Sequence, residues 1–336
     1  MRNVFWPIVV NLFGTVITFG QQPAPAPSPP PAPASTPNTN RIPSRISRSG
    51  LPPFNAVGTS AGFGSPIEAD PMARRMMLVQ KYAVPMYRKP TGKELKPLAP
   101  DSAITAKYSE LLRKNDSGIF KLVPDSGCAE STKVVNASEK CLKYLFPGAA
   151  NSFSFRTGNY RVRQLADITY VAGGFWTTGV LMHGLMVDLG DIPLEQVTAR
   201  TPAIAFINNF QPMSDFTEAM AVDKLLTDGV RRDGYLYRRN LPVASAHTFV
   251  IRAIAYQGRV MRAVKGAAYN ELDFDKRNDV TVAFRVERID YDGAVTIVWT
   301  KLSSARSPKL KVPSNEDPAK FIGKDRGTDD STDDPQ

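Results

Sequence analysis

The chain has 336 residues, 42% hydrophobic and 22% charged, with a formal net charge of +10. Enough apolar surface is present to bury a core, which excludes a fully disordered chain, and the apolar residues are too dispersed for a polytopic membrane protein. Two cysteines and two histidines exclude a Cys-rich zinc or iron–sulfur site and leave little for a His-based metal centre, so no cofactor is expected.

Residues 1–20 have the layout of a secretory signal peptide. Arg2 precedes an apolar run from Val4 to Phe19, and the small residues Thr18 and Gly20 lie before Gln21. An uncleaved N-terminal membrane anchor is the alternative. Residues 21–43 follow as a linker rich in proline and alanine; nine of the 28 prolines fall between Pro23 and Pro43. This composition favours extended polyproline II and cannot bury apolar surface. Residues 44–315 read as one continuous α+β body, with a helical part over 66–147 and an antiparallel sheet part over 151–313. Residues 316–336 form an acidic tail, expected to be disordered, with seven acids against Lys320, Lys324 and Arg326. Removing either terminal segment is expected to leave stability nearly unchanged. Because the signal adds one positive charge and the tail carries a net −4, the stretch from Arg41 to Asn315 holds +13.

Within the body, Asp70-Pro71 combines an N-cap with proline at the first helical position. Met72, Met76, Val79 and Ala83 recur at helical spacing and read as core, and Pro85 is expected to stop the helix. A second helix opens at Asp101 or Ser102, with Ile104, Tyr108 and Leu111 on one face. A short third runs from Ser138 to Phe146. From Ser152 the period becomes two. Gly158-Asn159 signals a hairpin, and a half-buried strand follows with Tyr160, Val162, Ala166, Ile168 and Tyr170 inward and Arg161, Arg163, Asp167 and Thr169 outward.

Phe175 to Leu189 is apolar on both faces and reads as a central strand or long hairpin arm. A helix is expected from the N-cap Ser214 to Asp228-Gly229. Strands return at Phe249–Ile254 and at Val280–Lys301, where Val280, Val282, Phe284 and Val286 face inward opposite Thr281, Arg285 and Glu287. Asp290-Tyr291-Asp292-Gly293 turns that hairpin. Strand following strand argues for N-terminal helices packed on a C-terminal antiparallel β-sheet rather than a doubly wound sheet.

Motifs of common chemistry are few. Gly58-Thr59-Ser60-Ala61-Gly62 matches the pattern of a nucleophile elbow, but no strand precedes it and no parallel sheet supports it. His183 between Leu181 and Leu185 reads as a satisfied core histidine; His247, where a strand begins, reads as more exposed. Asp273 and Asp275 with Asp279 have oxygen ligands for calcium but no turn glycine, and Lys276 and Arg277 intervene, so a solvated turn is expected. No phosphate-binding loop, dinucleotide fingerprint, zinc-protease motif or C-x-x-C occurs.

These observations give an exported, periplasmic or extracellular, non-catalytic cell-envelope protein that binds an anionic polymer, a membrane surface or a protein partner. A hydrolase with an unmarked site built on carboxylates or His247, or a structural assembly subunit, are the rival readings. Export argues against nucleic acid as partner, and no membrane span is expected after signal cleavage. Cys128 and Cys141 are the one pair available for a disulfide in an oxidising compartment. The binding residues expected are the arginines Arg161, Arg163, Arg231, Arg232, Arg238 and Arg239, interleaved with tyrosines, whose planar guanidinium groups suit phosphate or carboxylate.

Overall fold

The strict alternation of Val280, Val282, Phe284 and Val286 forms the longest pairing in the protein. In the computed structural model, which describes residues 70–124, 143–318 and 321, strand β13 (Asn278–Ile289) pairs antiparallel with β14 (Val295–Arg306) across the expected turn. Gly293 adopts a φ of +82° there, which glycine tolerates without cost. The described residues belong to one of two units of the chain, Gly64–Gln336; the other is Met1–Phe63. The signal, the linker, the Gly58–Gly62 motif, both cysteines and most of the expected third helix lie outside the described residues.

The N-terminal part is helical: α1 (Pro71–Leu78), α2 (Val84–Tyr87), α3 (Gly92–Leu95), α4 (Ser102–Lys107) and α5 (Ser109–Leu112). Asp70 caps α1 as its sequence predicts, accepting from the Met72 N–H at 3.0 Å. Two expectations fail here. Met72, Met76 and Met77 are each about two-thirds exposed, so the methionine stripe is not core. The helix seats itself through Arg75, which donates to the Ala268 carbonyl, through Val79, and through the buried Ala83 and Tyr87 at its far end. Pro85 does not stop the helix. Lacking an N–H and crowding the carbonyl four residues back, it is accommodated by a π-helical turn over Val79–Ala83, in which the Val84 N–H donates to the Val79 carbonyl.

Strand β1 (Ser117–Leu122) lies inside the stretch expected to be helical and forms one edge of the central sheet. The sheet continues through β14 and β13 to β10 (Thr248–Ala255) and β6 (Met182–Asp188), all antiparallel. A second antiparallel sheet is built from β2 (Ser152–Ser154), β3 (Asn159–Tyr160), β4 (Ile168–Val171), β5 (Gly174–Thr177) and β9 (Asn240–Pro242), in the order β3-β2-β4-β5-β9. The strand expected from Tyr160 to Tyr170 is therefore broken, and Arg163–Leu165 form a 3-10 turn. The arm expected from Phe175 to Leu189 is divided between the two sheets. Two small hairpins complete the strands: β7 (Val230–Arg232) with β8 (Tyr235–Tyr237), and β11 (Met261–Val264) with β12 (Ala267–Asn270).

The central sheet is covered on both faces. One face, with Leu185, Val187, Val250, Ile254, Ala283 and Val298, meets the helices α6 (Pro202–Asn209) and α7 (Phe216–Asp228). The other carries Met186, Phe249, Ile251, Val282, Phe284 and Ile297 against Phe153, Phe155, Ile168 and Phe175 of the second sheet. Gly184 permits this approach, because a Cβ there would lie 2.2 Å from the Thr177 Cβ. Helix α7 starts one residue later than expected: the Asp215 carboxylate, not Ser214, caps Thr217 and Glu218. Helix α6 was not legible in advance. The body also runs further than expected. Phe321, assigned above to the disordered tail, is 1% exposed and packs on His183, Phe216 and Tyr256.

Candidate functional site

One opening in the described surface follows from a sheet edge left unpaired among the described residues. In an antiparallel ladder, residues of an edge strand point their backbone groups alternately toward the partner and away from it. The Lys301 N–H donates to the Asp116 carbonyl, so Asp116, Gly118 and Phe120 face β14, while Ser117, Ile119 and Lys121 face outward. At Lys121 the edge is closed by one side chain. The Tyr160 hydroxyl donates to the Lys121 carbonyl at 2.6 Å and accepts its N–H at 3.3 Å. Beyond that closure, between β1 and the loop joining β2 to β3, lies a cleft of about 480 Å³.

Its underlayer is aromatic and packed. Phe120 stacks on Phe153 with centroids 3.7 Å apart, and Phe155, Tyr160 and Trp299 meet them edge-on. Gly118 leaves room for the Trp299 indole, whose Nε1 would lie 2.7 Å from a Cβ at that position. The rim is polar: Asn115, Asp116, Thr157, Asn159, Lys276 and Lys301. Lys301 Nζ holds Asp116 at 2.5 Å. That contact, with a smaller contribution from Lys276, keeps the Asp116 carboxyl below its usual range. Lys276 is exposed and has no ion-pair partner among the described residues.

Lys276 is positioned from beneath. Arg156 is fully buried, donating from Nε to Asp167 at 2.6 Å and from Nη1 to Asp275 and to the Lys276 carbonyl. Arg277 binds the same Asp275 at 3.0 Å. The turn expected to be solvated is therefore a buried ion network, with the Asp275 side chain inaccessible and its carboxyl lowered despite burial by Arg156 and Arg277. Asp279 is likewise committed to Arg252 at 2.7 Å. Among the described residues no cluster of acids, histidines or cysteines could hold a metal ion.

The six arginines singled out in the sequence do not form one face. Arg161 is 9% exposed and donates to the Tyr87 carbonyl. It shares no strand face with Arg163, which lies in the 3-10 turn. Arg239 is buried against Asp223 at 2.6 Å, and Arg238 donates to the Thr227 carbonyl at the end of α7. Only Arg231 and Arg232, on β7, are exposed. Arg161 and Arg239 were misplaced because each lies just outside a strand, in a connecting segment that packs into the interior.

The histidines behave as their surroundings dictate. His183 is 0% exposed. Its Nε2 lies 2.8 Å from the Ala219 carbonyl, which can only accept, so Nε2 carries the proton. Nδ1 then accepts from the Tyr256 hydroxyl at 2.9 Å, and that hydroxyl accepts from the Met213 N–H. The ring is neutral and satisfied, and burial lowers its pKa to about 4. His247 is partly exposed and pairs through Nδ1 with Asp188 at 2.9 Å. No known protein family, curated protein or solved structure matches the chain.

The cleft was missed in the sequence because it has no local signature. Residues 116, 158, 276 and 301 meet through sheet register. The one usable signal was Gly118, a glycine inside an alternating strand, which marks close approach by another group.

Proposed function

We propose that the protein is an exported, non-catalytic envelope protein that holds an extended anionic polymer in the cleft along β1. The observation that carries this reading is a polar cleft along the β1 edge lined by Lys276, which has no ion-pair partner among the described residues, and by Lys301, which Asp116 holds at the rim. The Lys276 ammonium attracts carboxylates or phosphates in a salt-dependent manner, a ligand carboxylate can exchange with Asp116 at Lys301, and the outward backbone groups of Ser117 and Ile119 offer hydrogen bonds along an extended chain. Among the described residues no helix is long and apolar enough to cross a membrane. Export itself is supported by the arrangement of residues 1–20, and it would join Cys128 to Cys141. Unfolded, unreduced mature protein should then show no thiol reactive to alkylation.

The binding test is titration of the full mature chain with fluorescent polygalacturonate. Affinity should fall as salt rises, and Lys276→Gln with Lys301→Gln should weaken it at least tenfold. Binding that is indifferent to salt or to both substitutions overturns the proposal, as does equal affinity for a neutral polysaccharide. A hydrolytic reading would rest instead on the His247–Asp188 pair, which lies outside the cleft lining. Turnover abolished by His247→Ala would establish it.

A further inference from the structure

The cleft has an anionic polymer within reach in the same chain. Fifteen residues, 322–336, follow Phe321, and Phe321 fixes where they start. Its ring sits in the core, 5.0 Å from His183, and its carbonyl accepts from the Leu181 N–H at 2.8 Å. The Leu181 carbonyl in turn accepts from Arg277 at 2.5 Å. Arg277 directly follows Lys276, which lines the cleft mouth. Leu181 and Arg277 therefore link the departure point to Lys276 at the cleft. Fifteen residues extend to as much as about 50 Å, far more than that separation requires. Residues 328–334 carry Asp329, Asp330, Asp333 and Asp334 with no basic residue among them.

From this placement we infer that the acidic segment 322–336 docks in the β1 cleft, with its aspartates on Lys276 and in exchange with Asp116 at Lys301, and competes with the external polymer. The inference rests on the binding site proposed above but identifies its own occupant. Competition of this kind is governed by effective concentration. A short tether holds a segment at about 1 mM, so a segment with an intrinsic Kd of about 0.1 mM weakens an external ligand about tenfold. The arrangement makes occupancy depend on salt and on polymer concentration, so that only a dense or high-affinity polyanion displaces the segment.

The test uses the full mature chain and a variant in which Asp329, Asp330, Asp333 and Asp334 are each changed to Asn. The variant should bind fluorescent polygalacturonate about tenfold more tightly than the unmodified chain. A labelled peptide of sequence 322–336 should bind the variant in trans, compete with polygalacturonate, and lose binding when Lys276→Glu and Lys301→Glu are added. Equal polygalacturonate affinity in the two chains overturns the inference while leaving the binding site intact. Should neither chain bind polygalacturonate, the proposed function fails and the peptide titration alone decides: saturable binding sensitive to Lys276→Glu supports docking, and no binding overturns it. A gain in affinity that disappears on dilution of the unmodified protein would assign the segment to a second copy and overturn docking within one chain.

Discussion

Lowering the pH should unfold this protein partly through one residue, His183. The ring is buried on the helix-covered face of the central sheet, with Nε2–H donating to Ala219 and Nδ1 accepting from Tyr256. Protonation would place a second N–H against the Tyr256 hydroxyl proton and a charge in an apolar layer. Burial accordingly moves the pKa from 6.5 to about 4. Because the folded pKa lies below the unfolded one, the unfolded chain takes up the proton first as pH falls. The stability contributed by the neutral ring is complete above about pH 6.5 and is lost progressively down to about pH 4. At 1.36 kcal/mol per pKa unit, the loss is about 3 kcal/mol. Urea unfolding at a series of pH values measures it, with His183→Gln as reference, since an amide can also accept from Tyr256 and donate to Ala219. The difference between the two chains should change by about 3 kcal/mol across the window, so that carboxylates and His247, common to both, cancel. Parallel curves for the two chains would refute the neutral, buried assignment.

Four further outcomes follow from the packing. Asp275→Ala leaves the buried Arg156 and Arg277 without their shared carboxylate and should cost about 3–5 kcal/mol in denaturant unfolding. Gly184→Ala drives a Cβ into Thr177 and should cost about 3 kcal/mol, whereas Gly92→Ala, in open helical space, should be neutral or stabilise by up to about 1 kcal/mol. Phe321→Ala should cost about 3–5 kcal/mol as a core truncation; a loss under about 0.5 kcal/mol would return Phe321 to a solvated tail. Arg161→Ala should lower thermal stability by about 1–3 kcal/mol through the Tyr87 carbonyl left unpaired, while Arg231→Ala with Arg232→Ala should stay within about 0.5 kcal/mol.

Patterns of period two located β10, β13 and β14, and the caps at Asp70 and Gly229 located helix ends, because each depends on residues close in sequence. The same patterns misjudged polarity. An arginine opposite a hydrophobic strand face reads as solvent-exposed only when one face of the sheet is dry. Here the central sheet is covered twice, so Arg252 and Arg285 sit beneath α6 and its flanking loops, neutralised by Asp279 and Asp191. A lone aromatic in a polar stretch, Phe321, carried no periodicity at all, yet it closes the layer around His183.

Both misreadings have the same physical origin, and it bears on where function resides. In a layered fold, charges on strands and on the turns between them are drawn inside and committed to partners, as Arg252 on β10 and Arg156 and Arg239 in turns are. The charges still available to a ligand are those at loop ends and strand edges, where no second layer covers them. Lys276 leaves the end of the loop before β13, Lys301 on β14 is held at the cleft rim by Asp116, and β1 supplies an edge with outward backbone groups. An alternating strand pattern cannot mark such a place, since β1 lies more than a hundred residues of chain before Lys276 and Lys301. What marks it is the failure of coverage among the described residues: one tyrosine, Tyr160, closes the β1 edge at Lys121, and the edge beyond it stays open toward the Lys276 ammonium.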